Sequence, residues 1–351
     1  ETPHFFVHYY RNRRHDEAPV AQRVAQVAER AHAILVPQLR HEPASRTHIV
    51  VTDDTDGANG SAQVVPYNIM RIFVTAPTSL NPLNDYDDWL YGLILHEYAH
   101  VLHLDTISGV PRLVNFILGK TWSPNQIQPR WFIEGLATFL ESRDTSGGRI
   151  RSSIFDMYLR MAVLSGRLLR LDQISSDTRF FPRGEVPYLY GGHFLNYLAA
   201  RYGDDKLAEI GRIYGGTAMP YGLNRVARRV FGKTYVELYG DFAQYLGERY
   251  AQQRQEVERR GPTRFRAITS HGEACGSPSF SRDGRELVFI DDDGRSDSAI
   301  KILDVASGRV KERYKHEGGN GIDFTPDGRF LIYAQGVRWR TFYGYHDLFV
   351  R

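Results

Sequence analysis

Apolar positions change period repeatedly along the first 75 residues. "HFFVHYY" (His4–Tyr10) reads as a strand, and Glu17 to Arg40 repeats Val20, Val24, Val27, Ala31 and Ile34 at helical spacing. "THIVVT" and "NIMRIFVT" read as two more strands. Between them "DDTDGANGSAQ" reads as a loop. Its Asp54-x-Asp56-Gly57 hints at a calcium loop, but Thr52 and Gln63 stand where acidic ligands belong, so a surface turn is expected.

From Asn84 to about Arg260 the spacing is mainly helical. Asn84 or Asp85 is expected to cap the helix "WLYGLILHEYAHVLHLD", with Asp87 and Asp88 complementing its dipole. Further helices are expected to begin near Arg130, Ser152, Tyr190, Asp204 and Tyr235, and Gly261-Pro262 ends the last. The character then changes. "PSFSRDGRELVFI" (Pro278–Ile290) recurs 44 residues later as "IDFTPDGRFLIYA" (Ile322–Ala334), with "AIKILDVASGRVK" between them. Asp-Gly and Ser-Gly turns at this period suit four-stranded propeller blades, and the repeat resembles TolB-like and WD-type propellers. The expected fold class is therefore α+β. Residues 1–260 are expected to form a domain that is mainly helical after a small N-terminal sheet, and residues 261–351 the first one to two blades of an incomplete propeller.

A net charge of +3 over 351 residues gives no field that points to nucleic acid. The basic "RNRRH" (Arg11–His15) runs straight into Asp16 and Glu17 and reads as a solvated loop. Cys275 is alone, which excludes a disulfide framework and a thiolate metal cage. No apolar run is long enough to span a membrane. The chain opens at Glu1 and moves directly into strand-like sequence, from which we expect a processed, extracytoplasmic protein (periplasmic or secreted).

The chemistry sits in "WLYGLILHEYAHVLHLD", an apolar helix interrupted by His96, Glu97 and His100. Residues four apart on a helix lie about 6 Å apart along the axis and about 40° apart around it. His96 and His100 can therefore share one metal ion, with Glu97 about 100° round from His96 and able to reach a water beside it. Zinc suits imidazole and carboxylate donors. The alternative is a pair of hydrogen-bonded core histidines with Glu97 in solvent. A third ligand separates the two readings, and "RWFIEGLATFLES" (Arg130–Ser142) offers Glu134 in an apolar helical segment. An unpaired carboxylate there costs several kcal/mol, which a shared metal or an arginine partner would relieve. Gly135 and Ala137 are expected to let this helix approach the first closely.

"HEYAH" followed by "WFIEGLATFLE" resembles the gluzincin metallopeptidases, above all the aminopeptidase N and leukotriene hydrolase group. The resemblance implies a zincin-like domain, with His96, His100 and Glu134 as ligands of one zinc ion and Glu97 as general base. The chain departs from the group in the connection between second histidine and glutamate. Its 33 residues (Val101–Ile133) are more than the group uses, so an excursion that returns to the site is expected. The metzincin pattern requires glycine at position 103 and histidine at 106, where this chain has His103 and Thr106. His103 is expected to be a helix-end residue.

"PYLYGGHFLNYLAARYGDDKL" (Pro187–Leu207) is similar to the same group's Y-x-x-G segment. Aligned on Gly191, the resemblance implies Tyr188 as donor to the tetrahedral oxyanion, with Tyr190 and His193 as neighbours that could substitute. An aromatic cluster that only packs a helix start remains open. The aminopeptidases' G-x-M-E-N strand is absent. The corresponding strand, expected at the sheet edge in "VPYNIMRIFVTAP", has no acidic residue to hold a free amine, though it could bind a peptide by strand addition. An endopeptidase acting on peptides or proteins is expected over an aminopeptidase. The rival is a scaffold with a vestigial peptidase fold and a partner-binding propeller.

Overall fold

The computed structural model describes all residues except 12–15, 78–86, 220, 270–273, 320 and 340–342. The chain is α+β and divides into two compact units, residues 1–52 with 58–261, and residues 262–351 with 53–57. In the first unit, β1 (Phe5–His8), α1 (Ala18–Leu39), β2 (Thr47–Thr52), β3 (Gly60–Gln63) and β4 (Ile69–Phe73) precede a run of helices. These are α2 (Trp89–Leu104), α3 (Gly109–Leu118), α4 (Arg130–Arg143), α5 (Ser153–Leu164), α6 (Val186–Tyr202), α7 (Asp205–Tyr214), α8 (Leu223–Phe231) and α9 (Tyr235–Arg260).

The sheet has the order β1-β2-β4-β3, with β1, β2 and β4 parallel and β3 antiparallel on β4. Alternation explains β2, whose Thr47, Ile49 and Val51 face the core. It does not explain β3. "GSAQ" has no β-branched or aromatic residue and reads as loop by composition, yet pairs with β4 from Gly60↔Ile72 to Gln63↔Ile69. The expected loop is thus partly strand. The edge beside the helices is β3, and β4, expected at that edge, is interior.

Helix α2 is buried at every residue but Trp89, as a helix with apolar residues on all sides must be, and the burial takes His96, Glu97, His100 and His103 with it. Its cap is Asp88, whose Oδ1 accepts from Tyr91 N at 3.2 Å. The expected caps, Asn84 and Asp85, lie outside the described residues, as do residues 12–15 of the basic cluster. Pro187 near the start of α6 lets that helix begin at Val186, before the expected Tyr190. A Thr234–Glu237 capping box starts α9. Helices α3 and α8 were not expected.

The two small residues of α4 were expected to serve its approach to α2. Gly135 instead faces α6. A Cβ on Gly135 would stand 2.5 Å from the Gly191 carbonyl carbon, and one on Gly191 would stand 2.0 Å from Trp131 O. Backbone meets backbone here, and α6 lies hard against α4.

In the second unit β5 (Ala274–Phe280), β6 (Glu286–Asp292), β7 (Ala299–Asp304) and β8 (Val310–Lys315) form an antiparallel sheet in chain order. Strands β9 (Ile322–Phe324), β10 (Leu331–Trp339) and β11 (Tyr343–Val350) form another with β10 central. The repeat read from the sequence is a repeat of hydrogen bonds. Ser281 Oγ donates to Asp283 and accepts from Glu286 N, while Asp283 accepts from Arg285 N. Thr325, Asp327, Arg329 and Phe330 make the same three bonds 44 residues on. Gly284 and Gly328 both turn at φ 70°, where a side chain would be strained. The described residues close no barrel or propeller. No described helix is long and apolar enough to cross a membrane.

Candidate metal centre

Helices α2 and α4 bring three ligand atoms together. His96 Nε2 lies 3.1 Å from His100 Nε2, and Glu134 Oε2 lies 3.5 Å from the first and 3.2 Å from the second. Donors at zinc's bond lengths of about 2.0–2.2 Å stand about 3.3–3.6 Å apart at the corners of a tetrahedron, so this triangle comes within about 0.2 Å of the right size. The chemistry of the donors also fits. Glu134 Oε2 is buried and makes no hydrogen bond of adequate geometry, although Arg130 Nη2 stands 3.6 Å from the other oxygen. The arginine pairing that would make Glu134 structural thus touches only the oxygen turned away from the histidines.

Behind His96 lies a second layer that the sequence reading missed. His96 Nδ1 is 2.7 Å from Glu141 Oε2. Arg149 grips that carboxylate with Nε at 2.7 Å from Oε1 and Nη2 at 2.9 Å from Oε2. Arg149 Nη2 is also 2.9 Å from Nδ1 itself, but both are donors, and the carboxylate between them satisfies both. With Nδ1–H donating to Glu141, the His96 Nε2 lone pair is left facing the triangle. Burial opposes the Glu141 charge, yet Arg149 and His96 hold its carboxyl down to about 2. Burial likewise presses His96 toward the neutral ring, but the Glu141 carboxylate that accepts its hydrogen bond, with the Glu134 carboxylate nearby, lifts its pKa to about 9. For Glu134 burial is again outweighed, and the two histidines hold the carboxyl far below its ordinary range. The pocket favours a positive charge at this point, as a proton or as a metal cation.

Glu97 is buried one residue beyond His96. Burial raises its pKa, and the two imidazoles work against that rise. Its space is reserved by β3: a Cβ on Gly60 would stand 2.8 Å from Glu97 Cγ and 2.9 Å from Oε1. A cleft of ≈ 580 Å³ opens here, floored by the triad and Glu97, edged by residues 58–62, and closed by Arg130, Arg149, Glu185 and Tyr188.

The three aromatic candidates separate. Tyr188, in the first turn of α6, lines the cleft with its ring centroid 5.9 Å from that of His96 and Arg149 Cζ 4.5 Å above its face. Burial, with Glu134 nearby, raises the phenol's pKa and keeps the O–H protonated. Tyr190 is 1% exposed in the hydrophobic core, and His193 is buried with its ring neutralised by burial, down to about 4. Neither lines the cleft. His103 ends α2 with Nε2 bonded to Gln128 Oε1 at 2.9 Å, away from the triad.

No family model matches the chain. It is 24% identical over 320 residues to an uncharacterized protein of Treponema pallidum (strain Nichols), covering 83% of this chain and 29% of that protein. The chain therefore spans less than a third of that relative's length. TolB from Acinetobacter baumannii matches at 18% identity over 24% of this chain and 20% of that one, with a TM-score of 0.20, too slight a likeness to bear on fold or function.

Proposed function

We propose that the first unit is a zinc-dependent peptidase of zincin-like fold, and that His96, His100 and Glu134 hold one zinc ion. The observation that carries this reading is the 3.1–3.5 Å triangle of donor atoms with Glu97 beside it. Bound zinc would supply a Lewis acid at the floor of the cleft. Glu97 takes the proton of the attacking water and returns it to the leaving nitrogen, a task its raised pKa suits. The Tyr188 hydroxyl donates to the oxygen on which negative charge develops. Glu141 and Arg149 fix the His96 ring, and the free edge of β3 gives an extended peptide main-chain partners beside the triad.

An endopeptidase remains the preferred reading because β3, like β4, carries no acidic side chain. Glu185 supports a second. Its Oε2 is buried at the cleft without a hydrogen-bond partner, and such a carboxylate suits a substrate's free amine. Two measurements test these readings: elemental analysis of protein purified without chelator, and cleavage of peptides with free and acetylated N-termini. One zinc per chain with cleavage of both peptide sets supports the endopeptidase. Cleavage confined to free N-termini, and lost in Glu185→Gln, favours the aminopeptidase. Zinc without hydrolysis supports the vestigial scaffold, and failure to take up added zinc ends the proposal.

A further inference from the structure

Helix α3 lies in the excursion between the second histidine and Glu134, and its apolar side faces outward. Of its ten residues only Pro111 is buried. Leu113, Phe116, Ile117 and Leu118 are 61%, 87%, 71% and 68% exposed. The start of α3 is tied to the loop after α7. Ser108 N donates to Gly215 O at 3.1 Å, and a Cβ on Gly109 would stand 3.1 Å from Gly216 O. That loop adds Met219 and Tyr221, 69% and 83% exposed.

Charge is segregated over the same two stretches. The chain carries 44 basic and 41 acidic residues, yet residues 106–133 and 210–236 contain no acidic residue against three and five basic ones. Lys120, Arg130 and Lys233 are taken up by Asp105, Asp177 and Asp241, all outside the two stretches. Arg112, Arg212, Arg225, Arg228 and Arg229 are exposed.

We propose that this face docks on an anionic lipid surface. Projecting aliphatic and aromatic side chains enter the boundary between headgroups and acyl chains, while the exposed arginines of the same two stretches meet lipid phosphates. The binding is peripheral, since no described helix can cross a membrane. A second copy suits the face poorly: a two-fold contact would set these acid-free stretches against themselves. The inference stands independently of the metal centre.

The test is co-sedimentation of the 351-residue chain with vesicles of phosphatidylcholine alone and of phosphatidylcholine with phosphatidylglycerol. The expected result is binding to the anionic vesicles only, weakened by salt. Phe116→Ser with Ile117→Ser should lower partitioning by at least ~10-fold, as should Arg228→Glu with Arg229→Glu. Circular dichroism should be unchanged in both, because all four side chains are exposed. Absence of vesicle binding, equal binding to neutral vesicles, or a dimer in light scattering that Phe116→Ser dissociates would each overturn the proposal.

Discussion

Glu141 and His96 are joined at 2.7 Å across the interface of α4 and α2, and this bond decides which imidazole nitrogen faces His100 and Glu134. Glu141→Gln retains the shape but removes the charge, leaving Arg149 buried without its carboxylate. Zinc affinity should fall ~10- to 100-fold. Stability should fall by about 3 kcal/mol, the usual scale for one broken buried pair. Chelator competition and urea unfolding measure the two losses separately.

Glu97→Gln should leave zinc content and folding intact, because Glu97 is not among the converging donors. Turnover of a cleaved peptide should drop by at least ~100-fold. Loss of zinc in this variant would make Glu97 a ligand instead.

Tyr188→Phe removes a hydroxyl at the cleft and keeps the ring against His96 and Arg149. The loss should fall on kcat, by roughly 10- to 1,000-fold, with KM and melting temperature nearly unchanged. Tyr190→Phe, altering a core residue away from the cleft, should leave kcat alone.

Gly60→Ala tests the clearance between β3 and α2. The Gly60 backbone is ordinary for a strand, so the added methyl acts only by contact with Glu97, at 2.8 and 2.9 Å. A general base displaced by about 1 Å costs on the order of 100-fold in turnover. Zinc binding should survive, so measuring both quantities separates this effect from general damage.

Burial holds His103 and His193 neutral, each lowered from 6.5 to about 4. The unfolded chain takes up these protons below about 6.5, and the folded chain only near about 4. Their contribution is therefore fully present above that upper value and is lost as pH falls through the window. Between pH 7 and pH 5 each should remove on the order of 2 kcal/mol. His193→Phe should lose about that much less than wild type over the same interval, as read by urea unfolding at the two pH values.

The sequence disclosed the three converging donors because helical spacing is a local property: His96 and His100 face one way whatever surrounds them. Glu141 was equally available, since it follows Glu134 by seven residues, two turns along the same face. Its role is not legible there, because nothing in the sequence says which side chain stands behind His96 Nδ1. Strand β3 and the Gly135–Gly191 contact are different in kind. "GSAQ" carries no strand signal of its own and becomes one only by pairing with β4, and a glycine does not announce which neighbour it is making room for. Helix α3 was hidden for a related reason: its outward apolar side contradicts the burial that periodicity is taken to imply.

The crossing of α4 and α6 at Gly135 and Gly191 has a mechanical consequence for the cleft. At that crossing backbone meets backbone with no side chain interposed, so Glu134 and Tyr188, one on each helix beside it, ride on one stiff wall. A peptide of greater girth, were one bound there, would then be accommodated at residues 58–62, which edge the cleft on a sheet margin held laterally by β4 alone. Selectivity for the width of the peptide chain would thus be set by how far that edge yields.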